Sequence, residues 1–167
     1  MLTLRALHVE NTNEVADLQQ VLEDAPAYSN LVKRRPPIPT DAKDIFNDFP
    51  PALHAADKLV AGFMFNSQMV VVVDICKGYP DVHTAYIGLL LFAEKFQGRG
   101  FGCEALSHIR TLVRSWDCRM IRVAVIETNA QALTFWKGEG FIQLYRKATK
   151  EYTGDAIVME SVLYPFK

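Results

Sequence analysis

The chain has 167 residues, 50% of them hydrophobic and 22% charged, with a formal net charge of −1. That is the length and composition of one globular domain, which excludes a disordered or fibrous chain and implies no basic surface for nucleic acid or an anionic membrane. The longest apolar runs, Met69–Val73 and Gly88–Ala93, are far too short to cross a bilayer.

In chain order, Leu2–Val9 partly alternates and reads as a first strand. A helix begins near Asn11–Asn13, carries Val15, Leu18, Val21 and Leu22 on one face, and is ended by Pro26 at or just after Ala25. From Ala27 to Ala56 prolines punctuate two helical fragments, one holding Tyr28 and Leu31, the other Ala42–Phe46. This stretch either meets the acceptor of a reaction or only covers the sheet. Lys58–Phe65 and Met69–Ile75 are strands joined by a short turn at Asn66–Gln68. Gly78–Asp81 turns the chain into an apolar strand through Ala85–Phe92. Gly102, Ala105, Leu106, Ile109, Leu112, Val113 and Trp116 then mark one face of a helix from Gly100 to Ser115. Met120–Ile126 is the next strand, and strand–helix–strand here implies a parallel pair with a right-handed crossover. A helix starts at Asn129 and stops at Gly138 and Gly140; Phe141–Arg146 and Ala156–Leu163 close the chain as a hairpin. The order βααβββαβαββ predicts a mixed, mostly antiparallel sheet flanked by helices. Cys76, Cys103 and Cys118 lack metal spacing, as do His8, His54, His83 and His108, and the first residues lack a secretory pattern. The expectation is a cytoplasmic protein with reduced thiols and no metal.

The stretch Gln97-Gly98-Arg99-Gly100-Phe101-Gly102 lies between an apolar strand and an amphipathic helix. Its glycines let backbone N–H groups close on a ligand, and the first N–H groups of a helix have no internal partner and favour negative charge. Such a junction is a phosphate cradle, so a phosphorylated ligand is expected. A solvated glycine-rich loop is the plainer reading, but three alternate glycines at a strand-to-helix junction call for a geometric reason. No Gly-Lys-Ser/Thr follows, which excludes a nucleotide triphosphate loop. Gly100–Ala105 fits the dinucleotide pattern G-x-G-x-x-A, with Glu127 near the end of the next strand, where a ribose-binding acid would sit. Against it, Ala93–Gln97 separates that glycine from the strand, and too little chain follows for a doubly wound sheet.

Gln97-x-x-Gly100-x-Gly102 resembles the (Arg/Gln)-x-x-Gly-x-(Gly/Ala) signature of the GNAT superfamily of acyl-CoA-dependent N-acyltransferases. A second block, Asn129 to Phe141, resembles the family's Asn-x-x-Ala-x-x-(Phe/Leu)-Tyr-x-x-x-Gly-Phe. The resemblance covers residues 57–147 well. It implies a single GNAT domain over residues 1–167, with six or seven strands and splayed parallel central strands that admit acetyl-CoA. By carry-over, Leu90, Leu91 and Phe92 offer backbone to the pantetheine, and Gln97, Gly98, Arg99, Gly100, Phe101 and Gly102 bind the pyrophosphate. Asn129 caps its helix and contacts the pantetheine arm, while Phe135 and Trp136 sit where that helix faces the cofactor.

The chain departs from the family in its acid and base. Trp136 stands where many relatives carry a tyrosine thought to protonate the leaving thiolate, and an indole N–H is no acid at neutral pH. A thiol of pKa ~8.5 leaves tolerably without that help, which is typically worth about 10²–10⁴-fold. The glutamates that relatives use as base correspond to Tyr86 and Ala124. Tyr86 and Glu127 stand as the catalytic candidates, Asp74 is a further carboxylate that, like Glu127, reads as a surface or strand-end group, and a water relay is the default. The implied activity is acetyl transfer from acetyl-CoA directly to an amine of a small molecule or peptide, by a monomer or homodimer. Two alternatives stay open: a non-catalytic acyl-CoA-binding module, and a dinucleotide-dependent oxidoreductase.

Overall fold

The sheet is built around β3 (Gln68–Lys77), whose residues from Met69 to Cys76 are all buried. A strand buried on both faces must be covered by a layer on each side, and its alternate side chains divide accordingly. Val71, Val73 and Ile75 join one core cluster with Phe63, Leu106 and Ile109, while Val72 joins another with Leu18, Val21 and Leu22. The computed structural model describes residues 1–163; residues 164–167 of the expected domain lie outside them.

Seven strands run in the order β1 (Thr3–Ala6), β2 (Lys58–Phe65), β3, β4 (Thr84–Phe92), β5 (Met120–Ile126), β7 (Ala156–Val162), β6 (Ile142–Lys147). Every pair is antiparallel except β4–β5. A single parallel pair leaves no doubly wound sheet, so the dinucleotide reading of Gly100–Ala105 loses its scaffold. One face carries α1 (Thr12–Glu23), with α2 (Pro26–Lys33) and α3 (Asp41–Asn47) beside it. The other carries α4 (Phe101–Ser115), and Trp136 of α5 (Ala130–Gly138) joins its core. Three helices thus separate β1 from β2, where the expected order had two. The first strand is also shorter than expected, because Leu7 leaves the ladder with one bond to Val60 and Asn11 already caps α1.

The sheet's decisive feature lies between β4 and β5. Their pairing stops at Ile87 and Val123. Beyond it β4 stays with β3, through Leu90 opposite Val73 and Phe92 opposite Val71, while β5 stays with β7, through Val125 opposite Ile157. Each strand is held by its outer neighbour as the two diverge. The register shift between Asp74 and Ile75 puts the extra residue, Gly88, at the point of divergence.

Candidate functional site

The gap between the splayed strands is a cavity of about 550 Å³. One wall is β4 from Ile87 to Phe92, the other is β5 from Val123 to Ile126, and α2, α4 and α5 supply the rest. Leu90, Leu91 and Phe92 all line it. Leu91 is buried against the α1 layer, and Leu90 and Phe92 are half-buried against the α4 layer, so their side chains are core as well.

The glycine turn closes one end. Gly98 and Gly100 hold φ of +71° and +79°, conformations that cost an L-residue roughly 1–2 kcal/mol, and a β-carbon on either would meet nothing within 4 Å. Gly100 is the N-cap residue of α4, among the described residues no side chain caps that helix, and Gly100, Gly102 and Cys103 line the cavity at that terminus. Glu104, the acid of that first turn, is engaged elsewhere, accepting from the Leu2 N–H at 2.6 Å. An open backbone cradle, an uncapped helix terminus and a free strand edge suit the pyrophosphate and the amide-bearing arm of an acyl-CoA.

The remaining turn residues divide their work. Gln97 lines the cavity while its Nε2 donates to the Phe92 carbonyl at 3.0 Å, tying the turn back to the strand. Phe101 is buried against Phe65 and Phe96, so only its backbone faces the turn. The Arg99 guanidinium sits 5.3–5.7 Å over the rings of Phe65, Phe96 and Phe101 and does not line the cavity. Gly102 lies inside the helix and faces Phe135. Asn129 lines the cavity and caps α5, its Oδ1 accepting from Ala132 N–H at 3.2 Å. Phe135 and Trp136 both line it, and the buried Trp136 ring stacks edge-on against Phe135 and Phe141 at 5.0 and 4.8 Å.

Neither catalytic candidate from the sequence lines the cavity. Tyr86 packs edge-on against Tyr79 at 5.6 Å, and burial pushes its phenol up to about 12. Glu127 is spent on Arg146 and on the backbone N–H of Asp155, 3.1 Å away. Cys103 lines the cavity mouth, but its thiol donates to Glu139 Oε1 at 2.9 Å, which holds its pKa above the ordinary value and disfavours a thiolate.

Asp74 differs from its expectation as a surface or strand-end carboxylate: it is buried, with Oδ1 2.6 Å from Lys58 Nζ. The cross-strand register legible in the Lys58–Ile75 hairpin could have found this pair, since Val60 sits opposite Asp74 and Lys58 two residues away on the diagonal. Tyr28 of α2 also lines the cavity, and burial, with Tyr152 and Asp74 nearby, pushes its phenol above the ordinary range. That end is bridged to the β6–β7 connection, where Thr153 Oγ1 donates to Leu31 O at 2.6 Å and Arg34 Nη2 to Tyr152 O at 3.2 Å.

Residues 19–141 match the family model described as "Acetyltransferase (GNAT) family". No curated protein matches the chain. Among solved structures, an acetyltransferase from Thermus thermophilus superposes with a TM-score of 0.79 at 22% identity, covering 98% of this chain and 97% of that one. The ribosomal-protein-S18-alanine N-acetyltransferase from Escherichia coli gives 0.71 at 15%, covering 100% and 97%. Ard1 from Thermoplasma volcanium gives 0.71 at 18%, covering 98% and 99%. At these identities the likeness is one of fold.

Proposed function

The chain belongs to the GNAT acetyltransferase family, and from that premise we propose that it moves an acetyl group from acetyl-CoA directly to the nitrogen of an amine. The observation that carries this reading is the free edge of β4 from Gly88 to Phe92, which runs from the point of divergence to an uncapped helix terminus. In this reading the backbone of Leu90 to Phe92 binds the pantetheine as an added strand, the turn from Gln97 to Gly102 holds the pyrophosphate, and Asn129 meets the arm from the opposite wall. Bound acetyl-CoA supplies an activated thioester, so the carbon–nitrogen bond forms as the carbon–sulfur bond breaks and sulfur keeps the electron pair. Trp136 shapes the wall beside that bond and offers no acidic proton. The bridge from Leu31 and Arg34 to Tyr152 and Thr153 narrows the acceptor end and favours a small amine. The protein acts in this reading in the cytoplasm; no helix of the described residues is long and apolar enough to cross a membrane.

A screen for free-thiol release with acetyl-CoA tests this, run over amino acids, polyamines, aminoglycosides and short peptides, with calorimetry for acetyl-CoA and NAD alongside. Acetyl-CoA binding and thiol release with at least one amine are expected. Binding without release for any amine would leave an acyl-CoA-binding module, and binding of NAD alone would remove the reading altogether.

A further inference from the structure

An amine of pKa about 10.4 reaches the site as an ammonium and must lose a proton before its nitrogen can attack a thioester. Tyr86 and Glu127 do not line the cavity, and Cys103 is held as a thiol. Asp74 does not line the cavity either, but it stands directly behind the cavity wall at the divergence point. A β-carbon built on Gly88 would lie 2.9 Å from Asp74 Oδ2, and Gly88 is both the bulge residue of β4 and part of the cavity wall. Only a residue without a side chain leaves that carboxylate reachable across β4. Asp74 Oδ1 is the oxygen paired with Lys58 Nζ, at 2.6 Å, and Oδ2 is the one turned toward Gly88.

We propose that Asp74 Oδ2 takes the proton of the acceptor ammonium across Gly88, directly or through one water. This rests on the acyl-transfer reading above. The protonation balances: the ammonium gives one proton to Asp74, its freed lone pair forms the bond to the acetyl carbon, and the thiolate departs with the electrons of the broken carbon–sulfur bond. The nitrogen's second proton goes to that thiolate, and Asp74 returns its own to solvent. The charges that act on Asp74 are those of Lys58 from β2 and Asp48 after α3, and the Asp74 carboxylate in turn raises the neutral Tyr28 of α2 and Cys76 of its own strand. Burial pushes Asp74 up to about 6, against the pull of Lys58, which suits a base working near neutral pH. Lys58 is itself anchored, since Nζ donates to Asp48 O at 2.6 Å, so it tunes the carboxylate and is a positioning residue.

The test combines the thiol-release assay, run from about pH 5 to 9, with two measurements that need no turnover. In the free protein, the carboxyl carbon of Asp74 followed by NMR should titrate near 6; a midpoint near the ordinary 3.8 overturns the proposal. Asp74→Asn should keep its acetyl-CoA affinity by calorimetry, lose roughly 10²-fold or more in kcat, and lose the rising acid limb of the rate. Lys58→Met should move that limb to higher pH, a shift that mere structural support would not produce. If Asp74→Asn keeps the parent's turnover and limb, the assignment is wrong while the acyl-transfer reading stands. If the parent releases thiol with no amine, both fall together.

Discussion

Gly102 in the first turn of α4 and Phe135 in α5 touch through a missing side chain: a β-carbon on Gly102 would lie 2.8 Å from Phe135 Cε2. Phe135 also lines the cavity, so this contact sets how far α5 stands from the cradle. Gly102→Ala sets two effects against each other. Alanine gains about 1 kcal/mol of helix propensity, whereas forcing a close-packed ring aside costs roughly 1–3 kcal/mol. The clash should win by a small margin in denaturant melts, and the displaced ring should weaken acetyl-CoA binding about tenfold by calorimetry. A stabilised variant with unchanged affinity would mean that Phe135 yields without cost.

Gly100→Asp separates the cradle from the fold. Position 100 has φ +79° and open space around a new β-carbon, so the variant should fold with a penalty of about 1–2 kcal/mol. Its carboxylate would stand at the uncapped terminus of α4, compete for the N–H groups and repel the pyrophosphate. Acetyl-CoA affinity should fall by a factor of about 100 or more, a loss of roughly 3 kcal/mol. Parent-like binding by this variant would mean the phosphates lie elsewhere.

Much of this was legible in the sequence because period and turn chemistry are local. β2 and β5 keep the limits that their apolar runs predict, α4 begins one residue after its expected start, and Asn129 caps α5 as its residue type suggests. Side-chain direction was less legible. Phe101 and Arg99 sit in the glycine turn, but both side chains belong to an aromatic cluster with Phe65 and Phe96, strands and turns that meet only in the folded sheet. Glu127 looked free because its partner Arg146 lies 19 residues away on another strand. Asp74 looked peripheral because nothing local announces that a bulge at Gly88 brings the splay point against it.

Acid stability should report two carboxylates of opposite sign. Asp41 is buried and accepts two hydrogen bonds from Arg35, at 3.0 and 2.7 Å, and one from the Ile38 N–H at 2.9 Å. Arg35 above all holds its carboxyl down to about 2 from an ordinary 3.8. A depressed folded pKa contributes stability above the unfolded value and loses it as pH falls through the folded one, here between about 4 and 2. That contribution is on the order of 2 kcal/mol at neutral pH, and Asp41→Asn should remove it and flatten melting in this acid window. Asp74, raised to about 6, works the other way: its protonation favours the fold as pH falls from about 6 to 4. Denaturant midpoints across the acid range for the two Asn variants check both signs. An Asp41→Asn profile that parallels the parent's below pH ~4 would show that Arg35 does not hold this carboxyl down.

Trp136 decides whether leaving-group departure depends on a side chain at this position. Its ring is buried, clasped edge-on between Phe135 and Phe141, and borders the cavity. Its indole N–H is a donor in hydrogen bonds and not an acid. Departure then relies on the acidity of the thiol itself, pKa about 8.5, or on water. The rate should rise with pH as Asp74 ionises and can take the amine's proton, without a falling limb from residue 136. Trp136→Tyr places an ionisable hydroxyl there and leaves a small void, so acetyl-CoA affinity should stay within about tenfold while an alkaline falling limb appears if donation begins to matter. Trp136→Ala opens a large void between two rings and should cost about 3–5 kcal/mol of stability, a greater loss than any in the chemical step. Trp136→Phe is the decisive variant, because it keeps an aromatic ring between Phe135 and Phe141 and removes the N–H, with a void like that of the tyrosine variant. It should retain turnover within about threefold, a difference below 1 kcal/mol. Lost turnover with unchanged binding and melting temperature would give the indole N–H a direct part in the reaction and overturn the packing account.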